Sequence, residues 1–428
     1  MTSGAAPFSK FEFMIAWRYL KAKRSEGGVS MMTLISLIGI ALAVAALVIV
    51  LAVRSGFRTE FVDTIVGSNA HVTVFNAGTI SATGTVDRSI QDYSAMAERI
   101  AAIDGVTRAA PLVRGQVMVS FQDRNSGIQV YGISPADLKT IPRIANPERF
   151  VGDIDAFPLG IAIGSGVAQN LGVTVGDRIK LISPNGVRTA FGVSPRIKSF
   201  TVTYIFTAGR YDIDQTRAYL PFVAAQEFFN REGVADEIEV MVDDPETIDS
   251  YLPVILKNAD TQSFSQTWKQ VAGSFLRALR IEDNVMFVIM AVLILLSTMN
   301  IVSGWIMMVK NKGKDIGILR NICMSEGTIL RVFFLCGAGI GVVGTAIGVV
   351  LGVLFVLNID SIFSVINYVS GGGVWDPSIR GIYELPAELR AIDVAKAVGL
   401  SLGLSFLITI FPARRAARMN PVEALRYE

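Results

Sequence analysis

The sequence predicts a membrane protein of four transmembrane α-helices with a large α+β domain between the first two. Three observations predict it. First, three uncharged apolar runs, Val29–Val53, Val285–Val309 and Val332–Leu357, are joined by a shorter one, Ala397–Pro412. Crossing the ~30 Å hydrocarbon core takes ~20 apolar residues in a helix. The first three runs reach that length, and the fourth does if it starts near Ile392, with Asp393 and Lys396 at the interface. Second, the spacing is uneven: about 230 residues separate the first two runs, enough for a domain core. Third, Lys and Arg concentrate in particular segments, and short loops rich in these residues stay in the cytoplasm.

The chain has 428 residues, 51% of them hydrophobic, a mean hydropathy of +0.48 and only 18% charged residues, against about 25% charged in soluble domains. The net charge of +2 is carried in patches. The N-terminal segment holds Lys10, Arg18, Lys21, Lys23 and Arg24. The loop after the second run holds Lys310, Lys312, Lys314, Arg320 and Arg331, and the tail holds Arg414, Arg415, Arg418 and Arg426. The loop between the third and fourth runs is acidic instead, with Asp360, Asp376, Glu384, Glu388 and Asp393. Both termini are therefore expected inside and the large domain outside. Arg54 and Arg58 run against this rule and are outvoted.

The expected segments are a cytoplasmic N-terminal helix over 1–28, spans over 29–53, 285–309, 332–357 and 392–412, and the external domain over 54–284. A cytoplasmic loop over 310–331, an external loop over 358–391 and a cytoplasmic tail over 413–428 complete them. Phe8–Arg24 reads as an interfacial helix with Phe11, Ile15 and Tyr19 along one stripe. The first run continues to Val53, past the length of a signal-peptide core, and is read as an uncleaved helix.

Within the external block, strand patterns fall at Ala70–Phe75, Arg114–Ser120, Gln129–Ile133, Ile161–Ile163, Arg178–Ile182, Phe200–Ile205, Ala218–Leu220 and Glu237–Val242. Helical patterns fall at Tyr93–Ile103, Val167–Leu171, Phe222–Phe229 and Thr247–Leu256. This is an α+β domain, of two lobes. Between Ile182 and Phe200 lies a segment too long for a tight hairpin. Pro184, Gly186, Gly192 and Pro195 bracket exposed Val187, Phe191 and Val193 in it. An apolar-tipped loop of this length points to a binding loop.

Catalytic chemistry has little to work with. His71 is the only histidine, so a triad or a His-based zinc site lacks its parts. Gly313-Lys314 has no glycine five positions upstream, so no Walker loop is present. The first three runs carry no charge for ion coupling. Cys323 and Cys336 offer no disulfide framework to the external block. Neither a bound cofactor nor a nucleic-acid partner is expected, and the energy for any membrane work must come from a partner.

Gly344, Gly348 and Gly352 share one face of the third span and suit close helix packing. Ser297, Thr298, Asn300 and Ser303 suit packing in the second, which continues a helix begun near Trp268. Helices running from the membrane into the external domain act as levers. In the loop 310–331, Asp315-Ile316-Gly317-Ile318-Leu319-Arg320 reads as a short helix presenting Ile316, Leu319 and Arg320 to a cytosolic partner. Asn420-Pro421-Val422-Glu423 reads as a capped helix start.

These residues resemble a known family. Trp17-Arg18-Tyr19-Leu20, Ser36-Leu37-Ile38-Gly39-Ile40-Ala41-Leu42 and Ser55-Gly56-Phe57-Arg58 precede the external block. Lys314–Arg320, Phe411-Pro412-Ala413-Arg414-Arg415 and Pro421–Glu428 follow it. The pattern is similar to the lipoprotein-releasing (Lol) permeases of Gram-negative inner membranes, within the MacB-like and FtsX-like permease superfamily. It departs at Asn321-Ile322-Cys323-Met324-Ser325, where the family usually has a Met-Gly-Ala-like turn.

The resemblance implies a non-catalytic permease subunit of an ABC transporter of the mechanotransmission type. A separate cytoplasmic ATPase would carry ATP and magnesium, and a second permease subunit, like or unlike, would complete the pair. The substrate would be a triacylated lipoprotein taken from the outer leaflet and passed to a periplasmic carrier. It implies that Pro184, Val187, Phe191, Gly192, Val193 and Pro195 form the carrier-binding hook of the periplasmic domain, and that Asp315–Arg320 form the coupling helix on the ATPase. Val44, Val48, Met286 and Met290 are expected along the lipid path by the same analogy. The alternatives are a MacB-like efflux permease, which usually carries its own ATPase domain, and an FtsX-like regulator of a periplasmic hydrolase, which has a much smaller external domain.

Overall fold

The computed structural model describes residues 7–20, 29–80, 86–147, 149–189, 192–260, 262–279, 316–319, 324–370 and 385–418, with scattered positions between 281 and 306. The chain divides into two compact units. One comprises Met1–Arg58, Leu279–Val369 and Leu385–Glu428, the other Thr59–Ala278 and Ser370–Glu384.

Among the described residues, three helices are long and apolar enough to cross a membrane: Thr33–Ser68, Glu326–Leu357 and Ala391–Arg415. They correspond to the first, third and fourth expected spans. The second, 285–309, falls mostly outside the described residues, and the helix start expected at Asn420 lies outside them. The first-span helix runs unbroken over Val29–Ser68, well past the end of the apolar run at Val53. The third-span helix, Glu326–Leu357, is capped by Ser325, whose Oγ accepts the Thr328 amide at 3.3 Å.

The glycine face of the third span closes on the first span of the same chain. A Cβ at Gly344 would meet Ile40 at 2.9 Å, one at Gly348 the Ala41 carbonyl at 2.6 Å, and one at Gly352 Val48 at 2.9 Å. Only hydrogen at those positions lets the backbones approach so closely. The fourth span packs on the third through Thr345 and Ser401, whose hydroxyls lie 2.8 Å apart.

The N-terminal helix, Lys10–Leu20, is turned differently from its sequence reading. Glu12 and Ala16 are buried against the third span, and Ile15 and Tyr19 are half-buried beside them. Phe11, Phe13, Met14 and Trp17 are exposed. The expected stripe of Phe11, Ile15 and Tyr19 is thus split, because the buried carboxylate of Glu12 meets an arginine there.

Among the described residues, the second unit has twelve strands: β1 (Val72–Asn76), β2 (Thr79–Ile80), β3 (Val86–Asp87), β4 (Val106–Phe121), β5 (Arg124–Ile133), β6 (Arg149–Gly152), β7 (Ile161–Gly164), β8 (Arg178–Thr189), β9 (Gly192–Thr207), β10 (Arg217–Pro221), β11 (Glu237–Val242) and β12 (Ser263–Thr267). Six of them close on themselves in the order β4-β5-β10-β7-β9-β8 and back to β4. Val117, Ile128, Ile163, Leu181 and Val202 fill the barrel.

β4 is shared. Its first half, Val106–Leu112, pairs with β11 in a second sheet, β12-β1-β11-β4, while Val113–Phe121 pairs with β5. The helices Tyr93–Ala101 and Ile248–Asn258 cover that second sheet. The expected two lobes are therefore the barrel and this covered sheet. β6 and β12 had no apolar alternation to announce them, since Arg149-Phe150-Val151-Gly152 is very short and Ser263–Thr267 is mostly polar.

Candidate docking and coupling sites

The segment read as a long loop between Ile182 and Phe200 is instead a hairpin. β8 extends to Thr189 and β9 begins at Gly192, with Val187 opposite Ser194, Arg188 opposite Val193 and Thr189 opposite Gly192. β4 pairs with β8 only at Lys180–Ile182. Beyond Ile182 the hairpin is a two-stranded ribbon, with no third strand among the described residues.

The ribbon's register shifts between Ser183 and Val187, so that Pro184, Asn185 and Gly186 face Pro195 alone. Proline has no N–H to donate to a ladder, so two facing prolines favour a bulge. Pro184 and Pro195 are exposed. Phe191, with Ala190, lies outside the described residues, and of the Val187, Gly192 and Val193 positions only the backbone is described. The foot of the ribbon is anchored: Arg196 donates to the carbonyls of Glu227 and Phe228, and Lys198 Nζ lies 3.1 Å from Glu227 Oε2.

On the other unit, Ile316–Leu319 is helical. Ile316 has no exposed surface and joins the cluster of Ala16, Ile329 and Phe333. Ile318 is 49% exposed and Leu319 half-buried. The outward assignment of Ile316 is therefore corrected: the single turn presents Ile318, because Ile316 completes the chain's own core. Gly317 is buried, and Asp315 and Arg320 lie outside the described residues. The Met324 amide donates to the Leu319 carbonyl at 3.2 Å, closing the turn before the third span.

Val44 and Val48 point into the glycine face of the third span and are buried there. Their side chains are covered within the chain. Met286 is half-buried, and Met290 lies outside the described residues.

Among the displaced titratable groups of the second unit, His71 and Glu237 meet β11. Burial pushes His71 down to about 4, and its Nδ1 accepts the Val242 amide at 2.9 Å. Burial raises Glu237 to about 7, with Glu239 adding to the rise and Arg114 opposing it. Glu237 opens β11, and His71 accepts from the amide of its last residue, Val242.

Residues 33–252 match the MacB-like periplasmic core domain family, and residues 287–421 match the FtsX-like permease C-terminal family. The chain is thus a membrane permease with a MacB-like periplasmic domain. It is 30% identical over 420 residues to the lipoprotein-releasing system transmembrane protein LolC of Neisseria meningitidis, covering 97% of this chain and 99% of that protein. Against LolC of Xylella fastidiosa the identity is 31% over 424 residues, with 98% and 100% covered. Against LolE of Haemophilus influenzae it is 29% over 418 residues, with 96% and 98% covered. The chain belongs to the LolC/LolE family of lipoprotein-releasing system transmembrane proteins.

Proposed function

We propose that this chain is the permease subunit of an ABC transporter that extracts lipoproteins from the outer leaflet of a Gram-negative inner membrane and passes them to a periplasmic carrier. A separate cytoplasmic ATPase binds ATP and magnesium and supplies the work. A second permease subunit, identical or related, completes the membrane unit, and both termini are cytoplasmic.

The observation that carries this reading is the ribbon beyond Ile182. An isolated two-stranded hairpin is marginal in water, and this one is anchored at its foot by Arg196 and Lys198. Its sequence leaves Val187, Phe191 and Val193 at the tip. A rigid foot and an apolar tip suit capture of a soluble carrier. Ile318 supplies the matching contact for the ATPase on the cytoplasmic side.

A photocrosslinker at Phe191 in whole cells tests it. The expected adduct is a small periplasmic lipoprotein carrier. An adduct with a cell-wall hydrolase or an efflux adaptor, at normal expression, would replace this reading with one of the two alternatives.

A further inference from the structure

The helix that starts as the first span ends at Ser68. Its last turns, Thr59–Ser68, lie in the second unit, where three arginines from three separate segments hold them. Arg143, in the short helix Pro142–Ala145, places Nη2 3.0 Å from Glu60 Oε1. Its stem runs along the last turn, since a Cβ at Gly67 would meet Arg143 Cγ at 2.8 Å. Arg210, just before the helix Tyr211–Thr216, sits 5.1 Å over the Phe61 ring, and the same ring stacks on Phe275.

Arg217 opens β10 and closes the helix end. It donates to the Ser68 carbonyl and to Asn69 Oδ1, each at 2.7 Å, and its guanidinium lies 4.9 Å over the Tyr131 ring. A cation at a helix C-terminus meets the exposed carbonyls and the negative end of the dipole. A planar fork held on an aromatic face fixes direction as well as charge.

Apolar burial of Phe61 and Ile65 already seats this helix against the sheet lobe. The arginines add something different. Arg217 belongs to a barrel strand, so the helix end is bonded to the barrel as well as to the sheet that β4 shares with it. We infer that Arg143, Arg210 and Arg217 form a rigid joint, so that the outer end of the first-span helix and the periplasmic domain move as one body. This rests on the proposed function: work reaching this helix would displace the whole domain rather than swivel against it. The arginines are then positioning residues, acting through the helix.

The Gly67→Cys/Arg143→Cys pair tests the joint in the complete transporter, reconstituted with its ATPase, a lipoprotein and the carrier. A Cβ at Gly67 lies 3.9 Å from Arg143 Cβ, inside the range of about 3.5–4.5 Å that a disulfide spans. With the disulfide formed, release is expected within twofold of the unsubstituted complex. Once it is reduced, release is expected to fall at least fivefold while ATP hydrolysis continues. Release that stops on oxidation and returns on reduction would show a hinge and overturn the proposal, as would full release in both states.

Arg217→Ala gives a second reading: at least a tenfold loss of release with ATP hydrolysis kept, partly restored in Arg217→Lys. Wild-type release from Arg217→Ala would also overturn the joint. An unsubstituted complex that hydrolyses ATP but transfers no lipoprotein would count against the proposed function alone. Hydrogen exchange on that complex still tests the joint, because Thr59–Ser68 and β10 must open together, and separate opening refutes it.

Discussion

Arg331 Nη2 lies 2.8 Å from Glu12 Oε1, and Glu12 has no exposed surface. The pair joins the N-terminal helix to the start of the third span. Arg331 Nη2 also donates to Thr328 Oγ1 at 3.3 Å, and Glu12 Oε2 accepts the Phe8 amide at 2.8 Å. The carboxylate is thus fully engaged although it is out of solvent. Such a pair is costly to break from one side, because the remaining charge stays buried alone.

Arg331→Met is expected to destabilise the detergent-solubilised protein by about 3 kcal/mol, the cost of an uncompensated buried charge, and Glu12→Gln by less, because Arg331 keeps 22% of its side chain exposed. The double variant should recover part of that loss. Thermal unfolding of all four proteins gives the coupling. Additive losses would mean that the two side chains do not act together.

Gly348 and Gly399 offer a matched comparison. A Cβ at Gly348 meets the Ala41 carbonyl at 2.6 Å and Val44 at 2.7 Å, whereas nothing lies within 4 Å of one at Gly399. Gly348→Ala should cost about 1–3 kcal/mol by overpacking. Gly399→Ala should be neutral or stabilise by up to about 1 kcal/mol through helix propensity. Melting both in the same detergent tests the glycine face as an intrachain contact.

Ile316→Ala should destabilise the protein by about 3 kcal/mol, as for other buried aliphatics. Ile318→Ala should stay within about 0.5 kcal/mol of the unsubstituted protein. If the turn meets the ATPase through Ile318, Ile318→Glu should lower the complex's ATP hydrolysis at least fivefold without a change in its melting temperature. Unchanged hydrolysis would remove Ile318 from the contact.

His71 and Glu237 give opposite pH slopes. The folded state holds a proton on Glu237 up to about pH 7, which the unfolded carboxylate loses near its ordinary value of 4.5. Stability therefore falls as pH rises across that window. Unfolded His71 gains a proton below 6.5, but folded His71 gains one only near 4. Stability therefore falls as pH drops across that window. Between about pH 4.5 and 6.5 the two trends largely offset each other.

Glu237→Gln removes one slope. Its stability should rise with pH from 4 to 6.5, and relative to the unsubstituted protein it should gain roughly 3 kcal/mol between pH 4.5 and 7.5. Hydrogen exchange of the β11 amides in the intact protein measures it. A flat difference across that range would mean that Glu237 titrates normally.

Long apolar runs, an uneven gap between them and the alternation within it were enough to determine three of the spans, the α+β character of the inserted domain and many of its elements. Glu237–Val242 and Phe222–Phe229 form where their patterns place them. These features are local or compositional, and each run must find apolar surroundings wherever the chain goes. Only the tertiary structure decided which face met which. Ile316 reads as an outward residue until the third span and the N-terminal helix close over it. Ile15 and Tyr19 look like lipid contacts until Glu12 finds Arg331. The loop after Ile182 becomes a ribbon because each strand supplies the other's hydrogen bonds, a pairing that two prolines obscure in the sequence. The arginines around Thr59–Ser68 are scattered along the chain, and no local pattern marks them. Burial and pairing are properties of the partner surface, and for these residues that surface exists only once the chain has folded.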